Sequence, residues 1–167
     1  MRESRDGQAP VRDNREPEVG GDPMRVSTVL GTKGSAVAST PPDATIADVV
    51  RQLAEHGVGA LVVSVDGREI RGIVSERDVV RAIASEGRGV LDQPVASIMT
   101  TEVVTCAPAT TVQELAALMT EQRVRHVPVV VDGVLSGIVS IGDVVKSRIT
   151  ELETETDAIR EYVWNGH

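Results

Sequence analysis

GIVSERDVVR, residues 72–81, returns as GIVSIGDVVK, residues 137–146, with Gly, Ile, Val, Ser, Asp, Val and Val in identical places. A run that recurs with its internal spacing intact marks a duplicated structural unit. Upstream, ATIADVVRQLAEHGVGALVVSVDG (44–67) lies over TTVQELAALMTEQRVRHVPVVVDG (110–133) at a constant offset of 66 residues, so one residue is lost from the turn that follows. The lead-ins correspond as well, VSTVL (26–30) with VASIM (95–99).

Each copy reads as strand, helix, strand, strand, helix. The first helix opens at Thr45 with Asp48 three residues on, and at Thr111 with Glu114 three residues on, the second a full capping box. Ile46, Val49, Val50 and Leu53, matched by Val112, Leu115, Ala116 and Met119, give the apolar stripe of a half-buried helix. Gly57 is placed to end the first of these helices. ALVVSV (60–65) and HVPVVV (126–131) are too short and too continuously apolar for amphipathic helices and read as buried strands. Asp66-Gly67 and Asp132-Gly133 then signal hairpins. A last helix starts at Ser75 and at Ser140, each with Asp three residues later. In the second copy it runs on with Ile149, Leu152, Ile159 and Val163 on one face. The fold class expected is therefore α/β (α+β): two tandem repeats, each a small sheet with two helices, packed with pseudo-twofold symmetry because one repeat alone buries too little apolar surface. The organisation expected is a disordered tail at 1–23, repeat one at 24–90, repeat two at 91–150 and a helical extension at 151–167.

The composition narrows the function. The chain of 167 residues and 17.7 kDa carries a formal net charge of −8 with pI near 4.9, no Phe, one Trp and one Tyr. An acidic chain with so few rings offers neither a phosphate-backbone footprint nor a base-stacking platform, so nucleic acid and anionic membrane are not expected partners. The lone Cys106 builds neither an intramolecular disulfide nor a thiolate metal site, and a reducing cytoplasm follows as the expected setting. His56, His126 and His167 show no ligand spacing, so no metal is expected. Residues 1–23 are charged and lack an apolar stretch, unlike a signal peptide or an anchor.

The chemistry points to the strand-to-helix junctions, GIVSERD (72–78) and GIVSIGD (137–143). Serine caps the helix, and the free N–H groups of the first turn with the helix dipole favour an anion. Asp78 and Asp143, one turn in, can accept two hydrogen bonds from a vicinal diol such as ribose. The same Ser-x-x-Asp pair also serves as a plain helix cap worth about 1 kcal/mol.

With its two Gly-x-x-Ser-x-x-Asp segments, and with VASIMTTEVVT, RVRHVPVVVDG and GALVVS, the chain resembles a cystathionine β-synthase (CBS) domain pair over residues 24 to 150. The likeness is to small stand-alone two-repeat proteins of bacteria and plant organelles, which carry similar GALVV, SERD and SIGD segments and a tail similar to YVWNGH. The resemblance implies a disc of two repeats with adenosine-containing ligands in the clefts between them. Carried over, Asp78 and Asp143 would hold ribose hydroxyls, and Ser75 and Ser140 would face phosphate. Arg77 joins them in the first copy, where the second has Gly142. Thr40 and Cys106, at matching places in the first strand, fall near base or ribose. Arg123, Arg125 and His126 approach phosphate from the other wall, where the first copy has Gly57, Gly59 and Ala60. Unequal clefts follow.

The function expected is thus a non-enzymatic regulatory module that binds AMP, ADP, ATP or NAD and modulates a partner protein. No nucleophile-base pair, Walker lysine or metal cluster offers catalytic machinery, and no catalytic cofactor is expected. Two alternatives stay open: a constitutive interaction scaffold with empty clefts, and a redox-linked regulator acting through a reactive Cys106. A homodimer is expected through Val79, Val80, Ile83, Val144, Val145 and Ile149 on the closing helices.

Overall fold

Continuous β-branched runs need cover on both faces, and each repeat supplies it with helices. The computed structural model describes residues 22–165; the readings made for residues 1–21 and for the closing Gly166 and His167 lie outside the described residues. In the first repeat β1 (Ser39–Thr40), β2 (Ala60–Val63) and β3 (Gly72–Ser75) form a sheet in that order, β1 parallel and β3 antiparallel to β2. All four residues of β2 are buried. In the second, β4 (His126–Val131) pairs antiparallel with β5 (Val134–Ser140), and Cys106 alone makes the parallel bridge to Val129 that β1 provides in the first. Asp132 and Gly133 hold φ of 50° and 78° between them, the left-handed pair whose twist suits a two-residue hairpin. The Asp66-Gly67 turn is wider and is tied by Asp66 Oδ1, which accepts the N–H groups of Arg68 and Glu69 at 2.9 Å each.

The helices begin where the capping residues stand. α2 (Ile46–His56) starts behind Thr45, whose hydroxyl accepts the Asp48 N–H, and α4 (Val112–Gln122) behind the Thr111–Glu114 box. α3 (Glu76–Glu86) and α5 (Ile141–Asn165) follow directly from β3 and β5. The lead-ins also differ in form: Val26–Lys33 is a helix, α1, while Val95–Ser97 is a single 3₁₀ turn.

Those lead-ins pack crosswise. Val90 and Val95, with Ile98 and Met99, complete the core of Ile46, Val49, Leu53, Leu61, Val63 and Val74. Val26 and Val29, with Leu30, complete the core of Val112, Leu115, Met119, Val127, Val129 and Val139. Backbone bonds fix the exchange: Val26 N–H donates to the Thr110 carbonyl at 2.9 Å, and Ile73 and Thr100 exchange both N–H···O bonds at 2.9 Å. The exchange is reciprocal, so each repeat finishes the other and the pair is approximately twofold. Two glycines allow the approach, since a Cβ on Gly72 would lie 2.9 Å from the Thr100 carbonyl oxygen, and one on Gly137 would lie 2.8 Å from Leu30 Cδ1.

The expected outer face needs one correction. Val79 and Val144 turn inward and are 5% and 3% exposed, whereas Val80, Ile83, Val145 and Ile149 stand out in solvent. The 3.6-residue period places adjacent valines on different faces, and the inner one of each pair joins its own core.

Candidate functional site

The junction after β3 and the segment before β4 face each other across the repeat boundary. A cleft of about 230 Å³ lies between them, walled by Ser75, Arg77, Asp78 and Arg81 on one side and by Arg123, Val124, Arg125 and His126 on the other. Thr100, Glu102, Val103 and Val104 close a third side, carried there by the crosswise bridge from Thr100 to Ile73. Six of the ten residues singled out from the sequence, Ser75, Arg77, Asp78, Arg123, Arg125 and His126, therefore meet in one place.

Asp78 already works as a cap. Its Oδ2 accepts the Ser75 backbone N–H at 2.8 Å and the Ser75 hydroxyl at 2.7 Å. Both bonds fall on one oxygen, which leaves Oδ1 for a further donor, so capping and diol binding are compatible in one carboxylate. Four arginines, Arg77, Arg81, Arg123 and Arg125, line the cleft with three acidic residues, Glu76, Asp78 and Glu102, a local cationic excess on an acidic protein. Such a concave cationic rim concentrates anions. Val103, Val104 and Ile73 supply the apolar wall that a planar base requires.

His126 sits at the boundary itself. A Cβ on Gly59 would lie 3.1 Å from His126 Cε1 and 3.6 Å from Glu76 Oε2, so a side chain there would press on the imidazole by a few tenths of an ångström. Burial lowers the His126 pKa below the usual histidine value, with Lys33 and Arg125 adding to the effect and Glu76 and Asp143 opposing it. The imidazole thus feels charges from both repeats.

The pseudo-equivalent junction is arranged differently. Asp143 Oδ2 accepts the Ser140 N–H at 2.7 Å and the Ser140 hydroxyl at 2.9 Å, as in the first copy, and in addition Lys33 Nζ at 2.6 Å. Burial acts against the ionised form of Asp143, and the hydrogen bonds from Lys33 and Ser140 outweigh it, holding the carboxyl below its ordinary range. Lys33 ends α1, the lead-in delivered crosswise, so its ammonium stands on the carboxylate that a second ligand would use.

The remaining two residues stand apart from the cleft. Thr40 is 1% exposed and its hydroxyl accepts from Gln52 Nε2 at 3.1 Å, because its place in β1 turns it toward α2. Cys106 packs against the second core, and burial pushes its thiol up to about 11, so it stays protonated near neutrality. Among the described residues no group of three or more His, Cys, Asp or Glu is arranged to hold a metal ion. The cleft also contains residues that sequence reasoning passed over. Arg81 is four residues beyond Arg77 on α3, a helical spacing that puts both on one face. Thr100 to Val104 gave no such signal, since they reach the first repeat only through the exchange of lead-ins.

Two α/β repeats that complete each other's cores, with a cleft between the first Ser-x-x-Asp helix start and the segment that leads into β4, define a tandem-repeat α/β domain pair. The chain belongs to the CBS domain family, which it matches over residues 34–85 and 95–149. It is 36% identical over 161 residues to the mitochondrial CBS domain-containing protein CBSX3 of Arabidopsis thaliana, covering 92% of this chain and 78% of that one. The crystal structure of a CBS-domain containing protein from Agrobacterium tumefaciens superimposes with a TM-score of 0.73 at 44% identity, covering 75% of this chain and 99% of that one. A CBS domain protein from Pyrobaculum aerophilum, complexed with AMP, gives a TM-score of 0.64 at 34% identity over 72% of this chain and 89% of that one. Stand-alone CBS-domain proteins of this kind are generally regulatory rather than catalytic.

Proposed function

We propose that the protein is a non-enzymatic regulatory module that binds an adenine nucleotide, AMP, ADP, ATP or NAD, in the cleft between its repeats, and that occupancy alters its affinity for a regulated partner protein. The observation that carries this reading is the meeting of Asp78, whose two cap bonds both fall on Oδ2, and four arginines around one cleft that has an apolar wall. The nucleoside lies against Val103 and Val104, Asp78 takes the ribose hydroxyls, and the phosphates extend to the arginines at the open rim. A Pyrobaculum aerophilum relative crystallised with AMP supports the ligand class. The second cleft is the weaker one, because Gly142 replaces Arg77 and Lys33 occupies Asp143. A thiol held at about 11 speaks against the redox-linked alternative. The reading includes a homodimer through the exposed residues of α3 and α5 and a cytoplasmic setting resting on the single cysteine, without a nucleic-acid or membrane partner. Among the described residues no helix is long and apolar enough to cross a membrane.

Thermal shift against the four nucleotides tests it. A ligand that binds only the folded state adds RT ln(1 + [L]/Kd), about 2.7 kcal/mol at 100 times Kd. Asp78→Asn keeps a capping oxygen and removes the charge, and loss of a charged hydrogen bond worth about 1.5 to 3 kcal/mol weakens binding about 10- to 150-fold. Absence of any shift at millimolar nucleotide would leave the constitutive scaffold as the better reading, and unchanged affinity in Asp78→Asn would remove Asp78 from the ribose.

A further inference from the structure

The helix α5 runs well past the repeat that it closes, and one face of it carries Val145, Ile149, Leu152, Thr156 and Ile159 at alternating four- and three-residue steps. That is the seam spacing of a coiled coil. The four apolar members are 52%, 51%, 52% and 56% exposed. The start of the same face is a shallow, open groove between side chains of α5 itself, Ile141, Gly142, Val145, Lys146, Ile149 and Thr150.

We propose that in the dimer the extension of each copy, residues 151–159, lies antiparallel in the α5 groove of the other, an inference that rests on the dimer read above and assigns the extension its role. The occupant is a second copy because the two halves of α5 are complementary. Residues 141–150 carry Lys146 and Arg148 against Asp143, whereas residues 151–161 carry five carboxylates against Arg160. Antiparallel pairing sets the cationic half of each helix beside the acidic half of its partner and opposes the two helix dipoles. With Ile149 placed across from the partner's Leu152, Val145 meets the partner's Thr156 and the partner's Ile159 enters the gap left by Gly142. The seam-flanking positions then pair Lys146 with the partner's Glu153 and Arg148 with the partner's Glu155. In this structure Arg148 pairs with Glu151 of its own helix at 2.7 Å, a contact that the flexible side chain can exchange. Parallel pairing would set acidic half against acidic half and leave the Gly142 groove unfilled.

Cysteine pairs in a Cys106→Ala background read the geometry directly. Val145→Cys with Thr156→Cys, eleven residues apart on one rigid helix, cannot bond within a copy and should link two copies under copper-phenanthroline oxidation. Ile159→Cys alone should not link. Leu152→Glu should weaken dimerisation in sedimentation equilibrium by at least about 30-fold, the scale of burying a charge in a seam. Lys146→Glu and Glu153→Lys should each weaken it about 3- to 10-fold, and the two together should restore it. Linking through Ile159→Cys, or failure of the Val145→Cys, Thr156→Cys variant to link together with unchanged dimerisation in Leu152→Glu, would overturn the antiparallel clasp while leaving the dimer intact. A wild-type monomer of about 18 kDa would overturn both.

Discussion

Replacing Arg123 by glycine should make the protein more stable and a poorer nucleotide binder. Arg123 ends α4 at φ 54°, ψ 35°, the left-handed conformation that Gly57 holds at φ 62°, ψ 35° at the end of α2. A side chain there costs about 1 to 2 kcal/mol, from the approach of Cβ to the carbonyl oxygen, and glycine removes that strain. The glycine also loosens the unfolded chain by about 0.4 to 1 kcal/mol, so a net gain of about 0.5 to 1 kcal/mol is expected. For a chain of this size 1 kcal/mol moves Tm by about 2 to 4 °C. Arg123, however, also lines the cleft. Loss of its guanidinium removes a charge-assisted bond at an exposed rim, near the low end of about 1.5 to 3 kcal/mol, which is about a 10-fold rise in Kd. Arg123→Ala is the control, because it sheds the same charge and keeps the strain. Calorimetric melting and isothermal titration of the three proteins separate the effects: glycine and alanine should share the affinity loss and differ in Tm by about 1 to 4 °C. Equal melting of the two variants would refute the strain argument, and wild-type affinity in both would remove Arg123 from the site.

Lys33→Met should free Asp143 and raise the stoichiometry of nucleotide binding from one toward two in calorimetric titration; an unchanged stoichiometry would show that Lys33 does not gate the second cleft. Because the folded pKa of Asp143 is lowered from 3.8, its stabilisation is present above that value and fades as pH falls through the lower folded pKa, so acid melting curves should be shallower in Lys33→Met than in wild type. The His126 pKa is lowered from 6.5 in the folded protein, so stability should decline as pH falls below 6.5, and His126→Gln should remove that part of the decline. Phosphate in the adjacent cleft favours imidazolium, so NMR titration of His126 should show its pKa rise when nucleotide binds; a fall would contradict the placement of the phosphates. Gly72→Ala should cost about 1 to 3 kcal/mol, because its Cβ meets a backbone oxygen at 2.9 Å, and Gly137→Ala less, because its neighbour is the movable Leu30 side chain; equal costs by urea melting would count against the difference.

What the sequence disclosed was local. Thr45, Thr111, Ser75 and Ser140 announce helix starts through residues three positions away, and Asp132-Gly133 announces its turn through two adjacent residues, so these elements stand where the pattern puts them. The duplication then aligned Ser75 and Asp78 with Ser140 and Asp143, which located both junctions. The same symmetry paired Thr40 with Cys106, but matching positions show equivalence and not which way a strand side chain turns, and Thr40 turns toward Gln52. The Lys33–Asp143 pair joins residues 110 apart and has no counterpart in the first copy to advertise it. Val103 and Val104 stayed hidden for the same reason, since no short-range pattern says that a lead-in serves the other repeat. The outer face was half legible, because periodicity separates Val79 from Val80 only once the direction of the core is known.

The exchanged lead-ins give the chain an order of assembly. The first core needs Val90 and Val95, which follow its own last helix closely, so it can close from one continuous stretch of chain. The second needs Val26 and Val29, made long before Val112 and Val127 exist. During synthesis α1 must therefore wait, its valines uncovered, until the far end of the chain emerges, and closing that long loop is slow relative to the local steps. Two chains growing side by side offer α1 a wrong docking place in the neighbour's second repeat. A duplicated module built this way is exposed to trading its first helix between molecules at the moment when it is least complete.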